Sequence, residues 1–185
     1  MEFSWTILNV MQFLDLSNYV TRRAASQHHD LEILTNHNYW KLTGRYHDSP
    51  DEYAGQAICS VNGSDRKPRQ LWRLLTGRNE ITDQECSVSI EFPSPGRAKV
   101  KLYCCDILID SMKLNGRIKD NAFFCSRSRI IPFFPIAFGY RKDWVRITLC
   151  NKNLIIDCHW RYRLYSLLGV AEGYGEGRGV FKRMV

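Results

Sequence analysis

An all-β fold is what this sequence predicts: eight or nine antiparallel strands in a meander, closed as a small barrel, with a helix only near the N-terminus. Three observations carry the expectation. From residue 39 onward apolar and polar residues alternate, which is the period of a half-buried strand. The links at 114–116, 119–121 and 151–153 read Leu-Asn-Gly, Lys-Asp-Asn and Asn-Lys-Asn, residues that tolerate positive φ in turns. No β–helix–β alternation occurs, so a parallel sheet is not expected. A long meander satisfies its edges best by closing on itself, with an open β-sandwich as the closest alternative. The 185 residues suit a single domain, 1–185, with 1–35 as an N-terminal helical segment and 39–185 as the barrel.

Each element has its own pattern. In residues 5–25, Trp5, Leu8, Met11, Phe13, Leu14, Leu16 and Val20 recur at helix-like spacing, and a short helical turn is expected at 31–34. Trp40, Leu42, Gly44 and Tyr46 then share one face of a first strand, against Lys41, Thr43, Arg45 and His47 on the other. A second strand covers 54–61, and a loop-like stretch follows it. The run Leu-Trp-Arg-Leu-Leu at 71–75 fits a strand or a short helix. Cys86, Val88, Ile90 and Phe92 alternate with polar residues. After a Pro-Ser-Pro-Gly turn, so do Ala98, Val100, Leu102 and Cys104, and the two runs form a hairpin. Further strands are expected at 106–114, 116–119, 122–130, 143–150, 153–164 and 177–184. The expected core is Trp40, Leu42, Val88, Ile90, Phe92, Val100, Leu102, Phe124, Ile147, Ile156 and Trp160.

Composition limits the function classes. The net charge of +7 resides in one part of the chain: residues 96–185 hold seventeen basic and seven acidic side chains. That half can attract nucleic acid, a membrane surface or an acidic small molecule. No run reaches the ~18 apolar residues of a membrane span, and the N-terminus lacks a basic region before its apolar stretch. The seven cysteines include no C-x-x-C pair and sit mostly in apolar runs. All are therefore expected reduced, in a cytoplasmic protein.

The segment Asn-Tyr-Trp-Lys-Leu-Thr-Gly-Arg-Tyr at 38–46 resembles the G-x-W opening of lipocalin-like (calycin) barrels, although His37 or Asn38 stands where those proteins have Gly. The resemblance implies a ligand-holding barrel in which Arg178, Lys182 or Arg183 covers Trp40. Residues 71–157 also resemble uncharacterised bacterial β-meander proteins, which imply no activity.

The functional candidates concentrate in residues 125–144. Eleven of these residues, Ile-Ile-Pro-Phe-Phe-Pro-Ile-Ala-Phe-Gly-Tyr at 130–140, are too few for a helical span, and their two prolines disfavour a central strand. A long apolar loop over the barrel mouth is expected. There Phe133, Phe134, Phe138 and Tyr140 supply the wall of a ligand site, and Arg127, Arg129 and Arg141 meet an anionic head group at the rim. The function read from this is non-enzymatic binding of a small amphipathic or anionic ligand, with no cofactor. A nucleic-acid-binding module using the basic half is the first alternative. The second is an enzyme using Asp157 or His159, on condition that their strand face is internal. His28, His29, Asp30, His37 and His47 lack metal-ligand spacing, so no metal site is expected. The glycines at 173, 175, 177 and 179 lie on one strand face, where another element can approach closely.

Overall fold

The structure, a computed structural model, describes residues 31–59, 70–78, 85–133, 137–166 and 169–184. The expected N-terminal helix at 5–25 lies outside the described residues. The strands are β1 Gly44–His47, β2 Glu52–Cys59, β3 Cys86–Ser94, β4 Arg97–Cys104, β5 Ile107–Lys119, β6 Ala122–Phe133, β7 Ala137–Cys150, β8 Asn153–Ser166 and β9 Gly169–Phe181. All nine are antiparallel and make one sheet in the order β1-β3-β4-β5-β6-β7-β8-β9-β2. β1 also has partners on its other side. His47 N–H donates to Lys182 O at 3.0 Å, Met184 N–H donates to Arg45 O at 2.8 Å, and Tyr46 bridges Arg183.

Two of the expected turns are present. Asp120 and Asn121 join β5 to β6, and Asn151 and Lys152 join β7 to β8, each pair with positive φ. Paired positive φ values match the twist of hairpin strands. A third turn of this kind, at Cys105 and Asp106, joins β4 to β5. Its second residue was expected to begin a strand.

The link at 114–116 is not a turn. β5 runs straight through it and changes partner there, pairing with β4 as far as Asn115 and with β6 from Gly116 to Lys119. Gly116 permits the change, because a Cβ would lie 2.3 Å from the Phe124 carbonyl oxygen. Beyond Cys125 β6 parts from β5 and stays with β7. Within the loop expected at 130–140, residues 130–133 and 137–140 are strand instead, with β6 and β7 paired through Pro132↔Phe138 and Phe133↔Ala137, and 134–136 lie outside the described residues. Pro132 is tolerated because no β5 residue pairs with β6 at that point, and a residue without an N–H loses nothing on such an edge.

The helical turn expected at 31–34 is extended chain, with Leu31 bridging Cys150. Trp40 is not in the core. Residues Tyr39–Leu42 form a 3-10 helix, closed by Thr43 N–H donating to Trp40 O, and the indole is 59% exposed. Phe124 is half-buried and its neighbour Phe123 fully buried, so the pleat there is one residue out of the expected phase. The other nine expected core residues are buried. The cysteines are not all reduced: Cys86 and Cys104 form a disulfide between β3 and β4. This bond removes the argument for a reducing compartment. No helix among the described residues is long and apolar enough to cross a membrane.

The ambiguous run at 71–75 is the helix α1, Leu71–Thr76. Asp48 caps it from a distance: its carbonyl accepts from Leu71 N–H and its carboxylate from Trp72 N–H at 2.7 Å. Gly77, at φ 69°, ends it. Leu71, Trp72, Leu74 and Leu75 are buried and join Leu42, Tyr46, Val88, Ile90, Phe123, Ile147, Ile156 and Phe181 in one core. The alternate glycines of β9 have the close neighbours expected of them. A Cβ on Gly173 would meet the Tyr162 ring at 2.2 Å, and one on Gly175 the Trp160 ring at 2.6 Å.

Candidate functional site

Where β5 and β6 separate, their parting leaves a cavity of about 240 Å³. Met112 and Leu114 of β5, Cys125 and Arg127 of β6, Asp143 and Val145 of β7, and Leu75 of α1 line it. Its position follows from the partner change at Gly116: the pleat brings apolar side chains of two diverging strands to a vertex that no third strand fills.

One buried carboxylate organises the polar side. Asp143 accepts from Arg127 Nε at 3.2 Å and from Arg141 Nε at 2.8 Å. Arg127 also donates through Nη1 to Leu75 O and through Nη2 to Leu74 O, and Arg129 donates to Gly77 O. Arg127 and Arg129 therefore bind the C-terminal end of α1, whose last carbonyls lack helical partners. Arg78, just beyond, pairs with Asp110 of β5, so this short segment ties β6 to β5. Arg141 lies 4.9 Å over the Trp160 ring. Arg127, Arg129 and Arg141 together outnumber the single carboxylate. Burial lowers the Arg127 pKa, an effect that Asp143 opposes. Burial also pushes the Cys125 thiol up to about 12, so it stays protonated and unreactive.

The expected site residues do not gather in one place. Arg127, Arg129 and Arg141 occupy one face of the β6–β7 hairpin, the face that continues into the core through Phe123 and Ile147. Phe138 and Tyr140 stand on the opposite face, where both are exposed. Phe133 is at the end of β6, and Phe134 lies outside the described residues. The sequence reading missed Asp143, Met112 and Leu114, and gave the segment at 71–75, read as strand or short helix, no part in the site. Asp143 was detectable as the one acid beside Arg141 and Lys142.

Asp157 and His159 are on the face opposite the core residues Ile156 and Cys158, and both are buried, as is Ile155 beside them. Asp157 is held by Arg146 at 3.2 Å and by Arg178 at 2.6 Å. Burial lowers the His159 pKa, its ring stacks at a tilt on Trp144, and its Nδ1 has no hydrogen-bond partner among the described residues. Arg183 packs 6.0 Å over Tyr46 and donates to Thr43 O; it does not cover Trp40. Among the described residues no cluster of His, Cys, Asp or Glu can hold a metal. No known protein-family model matches the chain, and neither any curated protein nor any solved structure matches it.

Proposed function

We propose that the sheet closes as a barrel and that the protein binds a small amphipathic anion, without transforming it, in the cavity where β5 and β6 part. Closure is supported by the hydrogen bonds of β1 to Lys182 and Met184, which continue the antiparallel pairing of β9 with β2. The binding reading is carried by one observation: an apolar cavity with one buried carboxylate shared between two arginines on its polar side. Arg127 and Lys113 line it with the single carboxylate Asp143, which Arg141 also holds, so an entering anion meets surplus positive charge. Size limits the tail. A dry apolar cavity of ~150 Å³ takes benzene, so about 240 Å³ suits a chain of roughly eight carbons. Long-chain fatty acids are too large.

Calorimetric titration with octanoate and with octanol tests the reading. Octanoate should bind and octanol more weakly. Met112→Trp, which fills the cavity without touching an arginine, should abolish both. Arg141→Gln should weaken octanoate alone. No octanoate binding at millimolar concentration, or undiminished binding by Met112→Trp, refutes the proposal. The nucleic-acid reading has less support, because the Phe138 and Tyr165 rings stack on each other at 5.2 Å and leave fewer free faces for bases.

A further inference from the structure

Strands β6 to β9 extend past the core in common register, and their far end changes chemistry row by row. The last three cross-strand rows are Phe133, Ala137, Ser166 and Gly169; Pro132, Phe138, Tyr165 and Val170; and Ile131, Gly139, Leu164 and Ala171. None of these twelve positions is charged. In the fourth row Ile130 and Tyr140 stand beside Arg163 and Glu172. Behind it, residues 125–145 and 158–177 carry six basic side chains (Arg127, Arg129, Arg141, Lys142, Arg161 and Arg163) against the acids Asp143, Glu172 and Glu176. Ile130 is 78% exposed, Phe138 63% and Val170 58%, with Tyr140 and Tyr174 also exposed.

We propose that this end of the sheet docks on membranes containing anionic lipid. Three rows at ~3.3 Å each make an uncharged end about 10 Å deep, the depth to which interfacial segments sink below the headgroups, ~5–10 Å. Tyrosines follow at the level where amphipathic rings sit. The cationic excess comes next, where long basic side chains reach lipid phosphates and a negative surface attracts them. The depth is far short of the ~30 Å of a span. A single-stranded nucleic acid fits less well. The Phe138 and Tyr165 rings stack on each other at 5.2 Å, which occupies faces that bases would need, and the exposed Ile130 and Val170 give a base nothing to stack on.

The test is co-sedimentation of the whole protein with vesicles of phosphatidylcholine, alone or with about a third phosphatidylserine. Wild type should partition to the anionic vesicles and far less to the neutral ones. The triple variant Ile130→Ser, Phe138→Ser, Val170→Ser should lose at least about tenfold in partitioning, with an unchanged circular-dichroism melt. Phe138→Trp gives a second readout: the fluorescence of the introduced indole should shift to the blue and be quenched by lipids brominated near the headgroup. The proposal is overturned if wild type stays in the supernatant with both vesicles, or if the triple variant binds as wild type does. It is equally overturned if the indole of Phe138→Trp goes unquenched while the same patch binds oligo-dT or forms a dimer that the triple variant breaks.

Discussion

Replacing Asp143 by Asn tests whether the polar side of the cavity stabilises the fold. The change keeps shape and removes the charge shared by Arg127 and Arg141. The Asp143 side chain is 6% exposed, and its two partners are 24% and 23% exposed. Removing one member of a fully buried ion pair costs about 3–5 kcal/mol. Here water reaches both guanidinium groups, and Arg127 keeps its bonds to the α1 carbonyls. The loss should therefore fall below that range, at about 2–3 kcal/mol, which lowers the melting temperature by roughly 5–10 °C in a chain of this size. Urea unfolding at neutral pH measures it. In an Arg127→Gln background the same substitution should cost ~1 kcal/mol less, since one partner is already gone. A midpoint within about 0.5 kcal/mol of wild type, or strictly additive losses, would show that the ion pairs contribute nothing.

Three further outcomes follow from the geometry. Burial, opposed by Glu176 and reinforced by Arg161, holds the His159 pKa below its unfolded value. The unfolded chain then binds more protons, so this contribution is complete above about pH 6.5 and is lost as pH falls through that value; the urea midpoint should drop on acidification, and His159→Gln should flatten the drop. Gly175→Val drives a side chain into the Trp160 ring and should cost about 1–3 kcal/mol or more, whereas Tyr174→Thr, on the exposed face of the same strand, should be near neutral in thermal melts. Replacing Cys86 and Cys104 by Ser opens a loop of 18 residues and should cost about 3 kcal/mol; intact-mass measurement should find the wild type lighter by two hydrogens than its reduced form.

The sheet was legible because most of its strands have one buried face, and alternation such as Val88, Ile90, Phe92 against Val100, Leu102, Cys104 admits one register. The pattern failed where tertiary contact overruled it. At Trp40 a local 3-10 turn replaced the strand, after a loop in which the Asn38 side chain bonds back to Ile33 and Thr35. At 130–140 two prolines argued for a loop, but β6 has an open edge at Pro132 that accommodates it, and Pro135 lies outside the described residues. The Asn115-Gly116 pair looks like a turn in any window of sequence. Only the closeness of Phe123 and Phe124 shows that its glycine serves a partner change instead. The candidate cavity was invisible for the same reason. It is made by the divergence of two strands and a helix end, and no local pattern records divergence. The arginines were noticed, yet the partners of Arg127 and Arg129 include main-chain carbonyls at the end of α1, which have no signature in sequence.

The contacts of β1 also have a kinetic consequence. Its bonds to residues 182–184, including Arg183 to Thr43 across 140 residues, can form only after the rest of the sheet has brought those segments together. Closing a loop of that length costs ~2 kcal/mol more entropy than closing a ten-residue hairpin, whereas neighbours such as β7 and β8 meet across a two-residue turn. The hairpins will order early and this seam last, in a slow phase typical of high contact order. The same seam is the first to open. Amide hydrogens of His47 and Met184 should exchange well before those along β7 and β8, and transient loss of that pairing bares the edge of β1 as a template for another chain.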